Sequence, residues 1–144
     1  MILVDANLLI YADSTNFAQH SAAREWLDEQ INTSMRVGLP WACLLSFLRV
    51  TTNPRVFPRP HSMAEAWEQV SAWLACETVW IPTPTERHTG ILAGLLAQPG
   101  VHGNLVSDAH LAALAIEHGL TLCSADGDFA RFANLKWINP LAAR

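Results

Sequence analysis

Lysine is almost absent from this 144-residue chain: all but one of its nine basic residues are arginine, and the formal charge is −4. That balance excludes a broadly basic nucleic-acid coat, because phosphate affinity rests mainly on Lys and Arg neutralising the backbone. Cysteine is scarce too. Cys43, Cys76 and Cys123 are odd in number and scattered, without the paired spacing of a disulfide framework or a zinc site, so buried reduced thiols are expected. No apolar run approaches the roughly 18 uninterrupted residues of a membrane span. Asp5 and Asp13 bracket the N-terminal stretch, and proline or charge interrupts the others. The opening Met1 to Asp5 lacks the basic region of a signal peptide, and a soluble cytoplasmic protein without membrane contact is the expectation. With no internal repeat, low-complexity tract or linker, the length suits one domain over residues 1–144.

What is present is an alternation of apolar runs and helical periods. Ile2-Leu3-Val4 reads as a buried parallel strand that delivers Asp5 at its carboxyl end. Ala23, Trp26, Leu27 and Ile31 mark a surface helix from His20 to Ile31. A short strand at Val37–Pro40 precedes a helix with one apolar face marked by Trp41, Leu44, Leu45 and Leu48, stopping near Asn53-Pro54. Ser62 and Glu65 form a capping box for a helix running to about Ala75. Thr78–Ile81 is the next strand, Thr85–Ala97 the next helix, and Asp108 opens an Ala- and Leu-rich helix stopped by Gly119. Leu120–Cys123 then delivers Ser124 and Asp126, and a last strand lies around Lys136–Ile138. Such alternation predicts an α/β fold, a parallel sheet with helices on both faces.

The carboxylates carry the chemistry. Functional groups of open parallel sheets gather outside the carboxyl ends of the central strands, where Asp5 and Asp126 fall, and Asp108 begins a helix able to face the same crevice. Clustered carboxylates repel unless they share protons or a cation. Oxygen-only ligands favour Mg²⁺ or Mn²⁺ over zinc, and such an ion polarises phosphoryl oxygens and activates water. Hydrolysis of a phosphodiester is the reaction implied. Each acid alone is ordinary cap or turn chemistry, Asp126 and Asp128 in Ala125-Asp126-Gly127-Asp128 included; the joint arrangement is what points to metal. His20, His88 and His110 receive no role, since lone helical histidines are more often surface or core residues. The tryptophans at helical spacing are read as core.

Three segments resemble a known family. Val4-Asp5-Ala6-Asn7-Leu8-Leu9-Ile10-Tyr11-Ala12 resembles the opening motif of PIN-domain proteins, the stretch from Gly103 to Ala115 around Asp108 their third-acid helix, and Ser124 to Phe132 their last acidic motif. Leu48-Arg49-Val50-Thr51-Thr52-Asn53-Pro54-Arg55-Val56-Phe57, followed by Pro58-Arg59-Pro60, is similar to the VapC toxins of bacterial, especially actinobacterial, toxin–antitoxin pairs. The resemblance implies a five-stranded parallel PIN fold, Mg²⁺-dependent cleavage of structured RNA such as tRNA or ribosomal RNA, control by a small cognate antitoxin, and a homodimer. It matches Asp5 and Asp108 to the principal metal ligands, Asp126 to the fourth acid and Asp128 to a neighbouring one. Asn7 and Ser124 match supporting polar residues, and Asn104 a site-lining one. The second acid of the family maps to Ser46, which brings no charge and favours an alternative reading, a catalytically weak RNA- or partner-binding module. Arg49, Arg55 and Arg59 are either an RNA-contacting strip or a solvated helix end. A phosphatase with Asp5 as covalent nucleophile is a third reading, weakened by Asn7 where such enzymes carry a second Asp.

Overall fold

Ile2, Leu3 and Val4 are buried, as a strand covered on both faces must be, and they form β1 (Ile2–Val4) at the centre of the sheet. The computed structural model describes residues 1–33 and 35–142. After β1 come α1 (Ala6–Asp13), α2 (His20–Asn32), β2 (Val37–Gly38), α3 (Trp41–Thr51), α4 (Met63–Leu74), β3 (Val79–Trp80), α5 (His88–Leu96), α6 (Leu105–His118), β4 (Thr121–Cys123), a 3₁₀ turn (Gly127–Arg131) and β5 (Trp137–Ile138). The five strands are all parallel, in the order β3-β2-β1-β4-β5. Right-handed crossovers place α1 to α4 over one face, and α5 and α6, which return the chain across the sheet, over the other.

Local signals explain most boundaries. Ser62 accepts the Glu65 amide while Glu65 accepts the Ser62 amide, the reciprocal box that starts α4. Gly119 stops α6 in the left-handed region at φ 67°. The core holds Phe47, Phe129 and the leucines at 3, 8, 9, 27, 39, 44, 114 and 122, all nearly sealed from water; each such side chain contributes about 1.5–3 kcal/mol of burial.

Three expectations are corrected. Trp41 and Leu45 face solvent, and α3 instead buries Cys43, Leu44, Phe47, Leu48 and Thr51; the helix is rotated so that the aromatic Phe47 meets Trp73 of α4, ring centres 4.9 Å apart. Of the tryptophans read as core, Trp26 and Trp73 are buried but Trp67 is exposed with Trp41. α5 begins at His88 rather than Thr85: the residues before it form a turn closed by the His88 amide on the Thr85 carbonyl at 3.0 Å, while the Thr85 amide donates to Glu117. The cysteines are free thiols, Cys43 and Cys123 buried and Cys76 partly so. No helix of the described residues is long and apolar enough to cross a membrane.

The direction of chain winding reverses between β1 and β4, and at such a switch the loops on the carboxyl side part to leave a crevice. Val4 pairs with Cys123, so the next residues, Asp5 and Ser124, emerge side by side at its floor.

Candidate metal centre

Asp5 leaves β1 as the N-cap of α1, its Oδ1 accepting the Ala6 amide at 2.7 Å. Ser124 is fully buried beside it. Asn7 Nδ2 and the Asp126 amide each donate to Ser124 Oγ at 3.0 Å. Both can only donate, so the hydroxyl proton must point elsewhere, to Asp5 Oδ2 at 2.8 Å. Asn7 completes the clamp by accepting the Ala125 amide through Oδ1 at 3.3 Å. Asp5 is thereby aimed as an acceptor, and the ends of the two central strands are tied together.

Asp108 stands in the first turn of α6, and Asp126 caps the 3₁₀ turn by accepting the Asp128 amide at 2.9 Å. Carboxylate oxygens of Asp108, Asp126 and Asp128 lie within 4.8 Å of one another. Burial, then the charges of Asp126, Asp5 and Asp128, push the Asp108 carboxyl up to about 6. Burial also raises Asp5, against the lowering effect of its Ser124 and Ala6 bonds, and Asp126 adds to the rise. The ion pairs among the described residues involve Asp13, Asp28 and Glu117 and none of these four aspartates. Their charge is therefore answered only by protons or by a cation from solution. The donors are all oxygen and no histidine or thiolate joins the trio, which fits a hard divalent ion.

A cavity of about 410 Å³ opens beside them, with Asp5, Cys43, Ser46, Ser107, Asp108 and His110 among its walls. Ser46, from α3, reaches this cavity. The Cys43 thiol is held well above its ordinary value by burial and by Asp5, so it stays protonated and is no nucleophile. Asn104, exposed and just ahead of α6, does not line this cavity. Nor do the arginines. Arg49 is exposed in the last turn of α3, Arg55 is exposed in the following loop, and Arg59 lines a separate pocket of about 140 Å³ with Asp13, Thr51, Phe57 and His61.

Sequence reading gave no role to His110, which shares the crevice, nor to His88 and Glu117 behind it. His88 Nδ1 lies 2.5 Å from Glu117 Oε2, and His88 Nε2 lies 3.1 Å from His110 Nδ1. These contacts join two helices across 29 and 22 positions, separations that leave no periodic trace. Only the placement of His110 two residues after Asp108 could have drawn attention to it.

The PIN-domain sequence profile matches residues 2–135. Over 142 residues the chain is 44% identical to Ribonuclease VapC37 of Mycobacterium tuberculosis, covering 99% of each protein. Among solved structures, VapBC2 of Rickettsia felis bound to a promoter DNA fragment superposes with a TM-score of 0.71 at 19% identity, over 96% of this chain and 98% of that one. Mycobacterium tuberculosis VapC20, a sarcin-ricin loop cleaving toxin, gives 0.68 at 18% identity, over 94% and 99%. At those identities the structures speak to the fold.

Proposed function

The chain belongs to the PIN-domain family, and from that premise we propose that it is a Mg²⁺-dependent endoribonuclease toxin of a toxin–antitoxin pair, hydrolysing a phosphodiester bond in structured RNA. The observation that carries the reading is the set of aspartates, without ion-pair partners among the described residues, gathered where β1 and β4 end, in a chain with a full-length relative that is a ribonuclease. Asp5, Asp108 and Asp126 would hold the cation, with Asp128 beside them; Mn²⁺ suits the same donors. When bound, the ion supplies Lewis acidity and a water of lowered pKa. The chain's own residues do the rest: Ser124 and Asn7 orient Asp5, and Asp108, raised to about 6, would offer its ionised carboxylate to the ion.

Arg49, Arg55 and Arg59 supply phosphate contacts away from the chemistry, and Asn104, exposed just ahead of α6, adds a polar contact to the RNA. RNA of the tRNA or ribosomal class is the substrate, in keeping with the sarcin-ricin loop cut by the similarly folded toxin. The Rickettsia neighbour is a VapBC2 structure, which supports a small antitoxin as partner here. Trp41 and Leu45 on α3 and Met63 and Trp67 on α4 are large, apolar and exposed; they offer surface for that partner and for a homodimer in the cytoplasm. A phosphatase with Asp5 as nucleophile is disfavoured, because the position where such enzymes carry a second Asp holds Asn7, which is committed to Ser124 and Ala125.

The test is cleavage of total RNA by the purified chain, with fragment ends sequenced. Cleavage at discrete sites with Mg²⁺, lost on chelation, together with growth arrest on expression that a small protein encoded beside it relieves, is the expected outcome. RNA left intact across divalent ions, with harmless expression, would show a binding module instead.

A further inference from the structure

Behind the crevice runs a line of three side chains, Glu117, His88 and His110, which the metal cluster does not use. Glu117 is almost fully buried. Its Oε1 accepts the Thr85 amide at 2.6 Å, and its Oε2 meets His88 Nδ1 at 2.5 Å. Burial raises this carboxyl, but the Thr85 and His88 hydrogen bonds help bring it below its ordinary value. An ionised carboxylate only accepts, so His88 Nδ1 carries the proton. In a neutral ring His88 Nε2 is then a bare acceptor, and the atom facing it, His110 Nδ1 at 3.1 Å, must donate. The choice propagates once more: neutral His110 is left with a bare Nε2, which has no partner among the described residues, on a ring that lines the same cavity as Asp5 and Asp108.

We propose that Glu117 and His88 are positioning residues that fix the tautomer of His110, whose Nε2 accepts a hydrogen bond from an O–H group in the crevice. This rests on the ribonuclease reading, which supplies two such hydroxyls: the ribose 2′-hydroxyl next to the scissile phosphate and the attacking water. A water on a cation has no lone pair to spare for an N–H, and the 2′-hydroxyl distinguishes RNA from DNA. For either, the direction of the hydrogen bond matters.

Two measurements decide it. In the full chain labelled with ¹⁵N-histidine, metal-free at pH 8, long-range ¹H–¹⁵N correlation should show His110 protonated at Nδ1. Glu117→Gln keeps an oxygen for the Thr85 amide but sets an NH₂ against His88 Nδ1, reversing the line, and His110 should switch to Nε2–H. A purely structural role for Glu117 would leave the tautomer unmoved. Should that variant fold poorly, His88→Phe fills the same space and should erase the tautomer preference. With Mg²⁺ and an oligoribonucleotide spanning a mapped cut, His110→Ala should slow cleavage about tenfold, the value of one lost hydrogen bond. If the partner is the 2′-hydroxyl, this deficit disappears on an oligonucleotide carrying 2′-deoxyribose 5′ to the cut; if it is the water, the deficit persists. Wild-type His110 protonated at Nε2, or undiminished cleavage by His110→Ala, overturns the proposal. A wild-type chain that cuts no RNA sinks the nuclease reading instead, and the tautomer measurement alone then decides the relay.

Discussion

Two polar hollows of this molecule treat the same residue type in opposite ways. Asp13 shares its pocket with Arg59 and His61, and His61 Nε2 sits 2.7 Å from its carboxylate. Asp5 and Asp108 share theirs with serines, a buried thiol and His110, while Asp126 and Asp128 add negative charge nearby. In the first hollow a basic side chain meets the carboxylate; in the second, no basic side chain among the described residues pairs with the acids. An acid with its own basic partner is structure, and a set of acids without one is a socket. What separates them is supply of charge, not burial, since Asp5 and Asp13 are both partly covered.

The contrast breaks most visibly in catalysis. Asp108→Asn should cut Mg²⁺-dependent cleavage by on the order of 10²–10³-fold, the scale of losing one preorganised electrostatic group, while Asp13→Asn should stay within about twofold. Equal losses, with both variants folded by circular dichroism, would mean that the aspartates are not distinguished by a cation.

A smaller effect is expected from the exposed arginines. Changing Arg49, Arg55 and Arg59 together to Ala should lower the slope of log affinity for RNA against log salt by about two, at roughly 0.7 per phosphate contact on a single strand. Mg²⁺ affinity, set in a crevice these arginines do not line, should not change. An unaltered slope would confine Arg59 to its role beside Asp13.

The smallest effect is on stability. Because the folded Asp108 carboxyl titrates near 6 against about 4 when unfolded, the metal-free native state binds the extra proton between those values. Its stability therefore falls as pH rises through that window and stays lower above it. Water reaches this carboxylate, so the penalty is discounted to about 1 kcal/mol. In chelator at pH 7.5, Asp108→Asn should melt about 2–4 °C above wild type and at pH 4 no higher. An Asn variant less stable at pH 7.5 would show that Asp108 is already satisfied without metal.

The parts legible in the sequence were those with a short-range cause. Buried runs gave β1 and β4, the Ser62–Glu65 box gave the start of α4, and Gly119 the end of α6. The helix α1 carries no polar stripe to announce it: Ala6, Leu8, Leu9, Ile10 and Ala12 are all buried, since α2 and α3 pack on it from outside, and an apolar stretch enclosed on all sides has no period. The exposed Trp41 and Leu45 misled for the converse reason, that apolar side chains at helical spacing do not reveal whether their cover is this chain. For the site, Asp5, Asp108 and Asp126 were legible through strand ends and family resemblance. The closeness of Asp128 to Asp108, and the line from Glu117 to His110, depend on how α5, α6 and the 3₁₀ turn pack, which no local pattern encodes.

The bond from Ser124 to Asp5 also has a consequence in time. It joins residues 119 positions apart, so a chain still being synthesised holds Asp5 long before it holds the hydroxyl that aims it, or Asp126 and Asp128. Such distant closures form late, after the contacts that shorten the intervening loop. A ribosome that stalls before position 124 leaves a fragment without this crevice, and the site comes together only once Ser124 and the aspartates after it have been made.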